Sequence, residues 1–255
     1  MSAVYASLYI IGFLFVINYI ENFRAFNRIL FPLDKEVKKQ LSLYYPFYRK
    51  LSFRKKHRFE NKVKQFLNSF EYRLRDGMVL TPEVKAVLGG GAIRITFYLP
   101  DECFDYYNTI VLYPESYYSR ISDRYHKGEV NPGAHAIVLS WSGIKKGLDP
   151  HDDGRNLLIH EYAHALYFEH KLMNHEYEIF NTEAFRRFTE QEEMEIKKLK
   201  SGEPHFLRKY AGTNEEEFFA VAVESFFERS AAFKKELPEL YGTLVLLLRQ
   251  DPLRN

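Results

Sequence analysis

The sequence predicts an α+β fold, a helix-rich domain around a small sheet with a hydrophobic helix at its N-terminus. Three observations lead there: stretches of helical period recur along most of the 255 residues, only three short β-prone runs lie among them, and the first 20 residues carry no charged side chain. Hydrophobic residues make up 46% of the chain, with 22 Phe and 19 Tyr, enough to fill a large interior and to exclude a disordered chain. The single cysteine, Cys103, excludes an internal disulfide and a thiol metal cluster, and fits a reducing compartment.

Taken in order, residues 1–20 read MSAVYASLYIIGFLFVINYI. As a helix they would span about 30 Å, the hydrocarbon thickness of a bilayer. A membrane anchor is expected over 1–22, followed by one domain over 23–255. From Arg24 to Lys64, 13 Lys or Arg stand against 3 Asp or Glu, a net of +10 in a chain of +2 overall. Such a flank stays on the cytoplasmic side, so a single-pass protein of the inner or plasma membrane with a cytoplasmic domain is expected. The basic stretch could also touch anionic headgroups. Its cations are interleaved with helix-periodic apolar residues, and there is neither a GxGxxG nor a phosphate-loop lysine motif, so no nucleic-acid or nucleotide partner is expected.

Pro32 interrupts the early segment, and LDKEVKKQLSLYYPFYRKL leads into a basic helix in which Phe59, Val63, Phe66, Leu67 and Phe70 form an apolar stripe, with Lys62 and Lys64 outside. Thr81 and Pro82 open the next helix as N-cap and first helical residue, and Gly89-Gly90-Gly91 ends it or forms a hinge. Strands are expected at Ala92–Leu99, Thr109–Tyr113 and Ala136–Trp141. After LDPHDDG comes an apolar helix, with Asp152 or Asp153 as its cap; Glu190 to Lys200 reads as a solvated face. A helix beginning at Thr213 or Asn214 runs through EEEFFAVAVESFFERS, and Pro238 opens the last one, whose run Leu244 to Leu248 packs on the domain.

The apolar helix carries His160-Glu161-Tyr162-Ala163-His164. Four helical residues advance the direction by about 400°, so both imidazoles share a face one turn apart. Two neutral imidazoles there can hold one zinc ion, and Glu161 can reach a water on it, which implies a metallohydrolase; the plainer alternative is that these histidines cap or pack. A catalytic zinc needs a third protein ligand. His170 has a known ligand spacing, but Tyr167 occupies the place of the glycine that spacing needs, and a continuing helix turns His170 about 240° away. Glu217 is the other candidate: with Thr213 as N-cap and Glu216 closing a capping box it is free to reach a metal, yet it could equally serve the cap itself with Asn214. Glu224, on roughly the same face, could orient a ligating histidine or pair with an arginine.

The segments IVLSW (137–141), DPHDDGRNLLIHEYAH (149–164), KYAGTNEEEFFAVAVESFFE (209–228) and QDP (250–252), with YPFYRKLS (45–52), resemble the Mlc titration factor A family of zinc peptidases, whose catalytic region is similar to that of anthrax lethal factor. The resemblance covers about residues 40–252. It implies a zincin-like metallopeptidase domain with Zn2+ on His160, His164 and Glu217, Glu161 as catalytic base, and Tyr210 as a transition-state donor. It further implies aminopeptidase-like hydrolysis of peptide or protein substrates, and a transcriptional regulator as partner, the family's founder being a soluble protein that binds a repressor. The uncharged N-terminus departs from that founder. A rival expectation is a membrane-tethered regulator-binding protein whose metal site is structural or weakly active. The strand at 136–139 is expected at the cleft edge, pairing with an extended peptide.

Overall fold

Asp34 starts the first helix by accepting the backbone N–H groups of Glu36 and Val37, the ordinary work of an N-cap. The structure, a computed structural model, describes residues 32–119, 123–148, 154–173 and 178–254, together with Tyr5. The anchor and hydrophobic helix expected over 1–22 fall outside these residues apart from Tyr5; among the described residues no helix is long and apolar enough to cross a membrane.

Helices α1 (Lys35–Tyr44), α2 (Pro46–Lys50) and α3 (Phe53–Ser69) come first, then strand β1 (Glu71–Leu74) and helix α4 (Pro82–Thr96). Strand β2 (Thr109–Tyr113) precedes a hairpin of β3 (Tyr117–Ser119) and β4 (Arg124–His126), which feeds β5 (Gly128–Asn131) and β6 (Ala136–Ser140). The remainder is helical: α5 (Trp141–Leu148), α6 (Leu157–Leu172), α7 (Thr182–Ser201), α8 (Glu215–Glu228), α9 (Ser230–Glu236) and α10 (Pro238–Leu247). The four-stranded sheet has the order β1-β2-β6-β5, parallel except that β5 runs antiparallel to β6. Period-two alternation puts Ile110, Leu112, Ile137 and Leu139 on one fully buried face. Phe66, Phe104 and Tyr162 join that core to α3 and α6 by edge and tilted ring contacts.

Several expectations are corrected here. Ala92–Leu99 is no strand: α4 continues through the glycines to Thr96. The glycines neither end that helix nor hinge it, but make room for neighbours. A Cβ on Gly90 would stand 2.2 Å from the Tyr45 ring, and one on Gly91 2.5 Å from Leu158. Burial of the surrounding face outweighs the roughly 1 kcal/mol helix penalty of each glycine. Lys62 is not on the outside: only 7% exposed, it reaches the Leu99 carbonyl and pairs with Asp101. The charged stretch Glu190–Lys200 is not wholly solvated either, since Glu192 and Glu195 are buried. Strand β6 is interior, flanked by β2 and β5, so it cannot offer an edge to a peptide; β5 is the terminal strand of the sheet.

Candidate metal centre

Helix α6 is capped not by an aspartate but by Asn156, whose side chain accepts the N–H of Ile159. Asp152 and Asp153 lie outside the described residues. The same Asn156 amide donates to the Gly147 carbonyl and to Glu228, tying the helix start to α5 and α8. Leu158, Ile159, Tyr162, Ala163, Ala165 and Leu166 bury the helix on several sides, and the Tyr162 hydroxyl donates to the Leu88 carbonyl. A helix gripped this way holds the imidazoles of His160 and His164 in place.

Helix α8 meets it with an acidic first turn of Glu215, Glu216 and Glu217, a placement the helix dipole favours. Its cap differs from the expected Thr213–Glu216 box: Asn214 accepts the backbone N–H of Glu217 at 2.8 Å. The two alternatives for Glu217 are thus compatible, since its main chain serves the cap while its carboxylate reaches across to α6.

There His160 Nε2 and His164 Nε2 are 3.1 Å apart, and Glu217 Oε2 lies 3.2 Å from the first and 3.4 Å from the second. His160, His164 and Glu217 are the group among the described residues with ligand atoms close enough together to hold a metal ion. Three corners of a tetrahedron drawn about an ion at about 2.0–2.1 Å stand roughly 3.3–3.4 Å apart, so the triangle has the dimensions of a zinc site. Proton bookkeeping points the same way. Glu224 Oε2 lies 3.0 Å from His160 Nδ1; a carboxylate can only accept, so Nδ1 carries the proton and Nε2 presents a lone pair to the triangle. Glu217 Oε2 is buried with no hydrogen-bond partner among the described residues. With Nδ1 turned to Glu224, the Nε2 atoms and Glu217 Oε2 converge on one point that a positive charge must occupy, a metal cation or, without one, a proton on His160. Burial works against charge on His160, yet Glu217 and Glu224 override it and push its pKa up to about 10. Burial likewise acts to raise Glu217, but the two imidazoles and Tyr210 hold it well below the usual carboxylate range.

Around the triangle, Glu224 is 2% exposed and accepts from His160, from Arg208 Nη2 at 2.6 Å and from the Asn156 backbone at 2.7 Å. Arg208 also donates to the Gly154 carbonyl. Tyr210, half exposed on a short turn (Lys209–Gly212), donates its hydroxyl to Glu217 Oε1 at 2.8 Å. Glu161 is buried beneath β5: a Cβ on Gly128 would come within 2.4 Å of its Oε1. Burial raises its pKa to about 6, against the pull of the two histidines. Tyr117 brings a buried hydroxyl, unpartnered among the described residues, to the same neighbourhood; burial and then the charges of Glu129 and Glu161 push its pKa up.

The structure thus brings together His160, Glu161, His164, Tyr210, Glu217 and Glu224. It leaves His170 out, packed against the rings of Phe180 and Phe185. Sequence reasoning missed Arg208, Asn156, Gly128 and Tyr117. Gly128 opens a strand of only four residues, too short for its period to stand out, and Arg208 belongs to no local motif, so only the folded chain reveals them.

Comparison with known proteins adds independent findings. A family described as glucose-regulated metallo-peptidase M90 matches residues 24–249. Over 225 residues the chain is 28% identical to an uncharacterized protein (slr2042) of Synechocystis sp., covering 82% of each chain. Over 207 residues it is 26% identical to a Mlc titration factor A of Serratia proteamaculans, covering 69% of this chain and 73% of that one.

Proposed function

This chain belongs to the glucose-regulated metallo-peptidase M90 family, and from that premise we propose that it is a zinc-dependent metallopeptidase of the HExxH…E type, with a zincin-like catalytic domain, hydrolysing peptide bonds with an aminopeptidase-like preference. The observation that carries the reading is the triangle of His160 Nε2, His164 Nε2 and Glu217 Oε2, with edges of 3.1–3.4 Å beside the buried Glu161.

In this reading His160, His164 and Glu217 hold Zn2+. When bound, zinc acidifies a water and polarises a carbonyl. Glu161, with a pKa of about 6 in its buried setting, takes the proton of the attacking water and passes it to the leaving amine. Tyr210 gives up its bond to Glu217 and donates to the oxygen on which charge develops. Strand β5 replaces β6 as the edge that pairs with an extended substrate, because it terminates the sheet directly above Glu161. Glu224 keeps His160 in the tautomer that presents Nε2.

The test is peptide hydrolysis by the full chain before chelation, after it, and after zinc is restored, alongside Glu161→Gln. Loss of activity in a Glu161→Gln protein that still holds zinc is expected; full activity in that variant, or in the metal-free protein, overturns the mechanism. Comparing peptides with free and acetylated N-termini tests the aminopeptidase preference. The name of the Serratia relative, a titration factor for Mlc, favours a second reading in which the chain also binds a transcriptional regulator. Glu161→Gln separates the two, since regulator binding survives it. The anchor at 1–22 with a cytoplasmic domain rests on the sequence; resistance of the membrane-bound protein to alkaline extraction tests it.

A further inference from the structure

We infer that the corner joining α2 to α3 is a contact surface for an anionic lipid bilayer. Between Val37 and Phe59 the chain has eight Lys or Arg and no Asp or Glu. At the corner Arg49, Lys50, Arg54, Lys55, His57 and Arg58 are exposed. Among them stands Phe53, the first residue of α3, which is 89% exposed although the helix buries Phe59, Val63 and Phe66 on its inner side. Arg49 donates to the Ser42 carbonyl, which brings the end of α1 and its exposed Leu43 alongside.

How these cations are held separates the corner from an ordinary solvated face. On α7, Arg186 and Arg187 are matched with Glu183 and Glu190. At the corner, Lys55 bonds the Tyr98 hydroxyl, Lys56 sits over the Tyr48 ring and Arg58 over Phe97. Among the described residues none of Arg49, Lys50, Arg54, Lys55, Lys56 and Arg58 is paired with a carboxylate. Among the described residues the charge is therefore not matched by carboxylates, and the ammonium of Lys56 and the guanidinium of Arg58 rest over aromatic rings instead. A nearly fully exposed phenyl group flanked in sequence by exposed cations that have no carboxylate partner among the described residues fits the boundary of an anionic membrane, where the ring enters the acyl layer and the cations meet headgroups. The surface shares no residue with the metal triangle, and it does not require the anchor at 1–22.

The test uses the full chain with an environment-sensitive dye on Ser52→Cys in a Cys103→Ser background; Ser52 makes no side-chain cap bond, so α3 tolerates the change. A blue shift is expected on vesicles containing phosphatidylglycerol, fading with salt, and none on pure phosphatidylcholine. If residues 1–22 recruit the protein to neutral vesicles as well, the dye still reports only the corner. Arg54→Glu with Lys55→Glu should lower the apparent affinity for the anionic vesicles on the order of tenfold or more. Phe53→Ser should shrink the shift. Ser52, Phe53, Arg54 and Lys55 are exposed and Cys103 is half-buried, so each variant is compared with the Cys103→Ser parent, and an unchanged thermal transition checks folding. Equal shifts on neutral and anionic vesicles, no shift at all, or a stronger response to single-stranded DNA than to vesicles would each overturn the inference.

Discussion

Two glutamates on neighbouring helices are buried to the same depth and meet opposite circumstances. Glu224 on α8, 2% exposed, accepts from Asn156 and His160 at the start of α6 and from Arg208, three donors in all. Glu192 on α7, 1% exposed, has an Oε1 without a partner among the described residues. Burial and then the charge of Glu215 push its pKa up to about 8, with Lys171 pulling the other way. A carboxylate stays charged in an interior only where donors converge on it, and the converging donors mark the region that works. Glu217 lies between the two cases: Tyr210 serves one oxygen, and the other is as unpartnered as that of Glu192.

The sharpest way to break this comparison is to ask which kind of orphan Glu217 Oε2 is. If it is the seat of a metal, Glu217→Gln loses a ligand. Sharing the roughly 10–16 kcal/mol of a structural zinc site among its ligands gives about 3–4 kcal/mol each, or two to three decades in affinity. Titration against a competing chelator measures this. Unchanged zinc affinity with a more stable metal-free protein would put Glu217 in the same class as Glu192. A somewhat smaller effect is expected from Gly128→Ala. The added methyl would displace the Glu161 carboxylate, with which it would otherwise collide. Moving a reacting group by about 1 Å costs on the order of 10²-fold in kcat. Zinc content should be unchanged; a drop in zinc instead would mean that β5 supports the ligands and not the base.

What the sequence disclosed follows the same division. The pairing of His160 with His164 was legible because both lie on one helix, where a period of 3.6 residues dictates the shared face. Helix α10 opened by Pro238 was legible from a local cap signal, and β2 and β6 from short β-prone runs bounded by turns. Glu217 came through family resemblance, because its geometry depends on how two helices cross. The partners of Glu224 were out of reach: Arg208 and Asn156 are 16 and 68 residues distant from it and belong to no spacing rule. Gly89-Gly90-Gly91 misled for a related reason. Local propensity reads a glycine run as a break, whereas Tyr45 and Leu158, each far off in sequence, need the space inside a continuous helix. Lys62 misled because a lysine in a polar stripe gives no hint of a carbonyl and a carboxylate waiting across the chain.

Glu224→Gln sharpens the satisfied half of the comparison. The amide can still accept from Asn156 N–H, but it carries no charge to match Arg208 or to strengthen the Nδ1–H of His160. Outer partners of this kind contribute about 10–100-fold in metal affinity or activity. A zinc affinity within twofold of the parent would mean that α6 packing alone orients the ring, with Glu224 serving only the fold.

The smallest effect is expected at Glu192, and it has the opposite sign. Its folded pKa, about 8, is raised above the ordinary value of 4.5. Below that ordinary value both folded and unfolded chains hold the proton, and the side chain imposes no pH-dependent penalty. Between the two values the unfolded chain releases its proton while the folded chain retains it, so the unfolded state binds fewer protons and stability falls as pH rises. Above about pH 8 the folded chain must bury the charge, and the loss is complete. Glu192→Gln removes that proton equilibrium. Its thermal transition should match the parent near pH 5 and exceed it at pH 8.5 by an amount equivalent to about 1–3 kcal/mol, at roughly 2–4 °C per kcal/mol for a domain of this size. Should the variant instead melt lower than the parent at pH 8.5, Glu192 would hold its charge favourably in this interior without the donors that converge on Glu224, and the contrast between the two glutamates would fail.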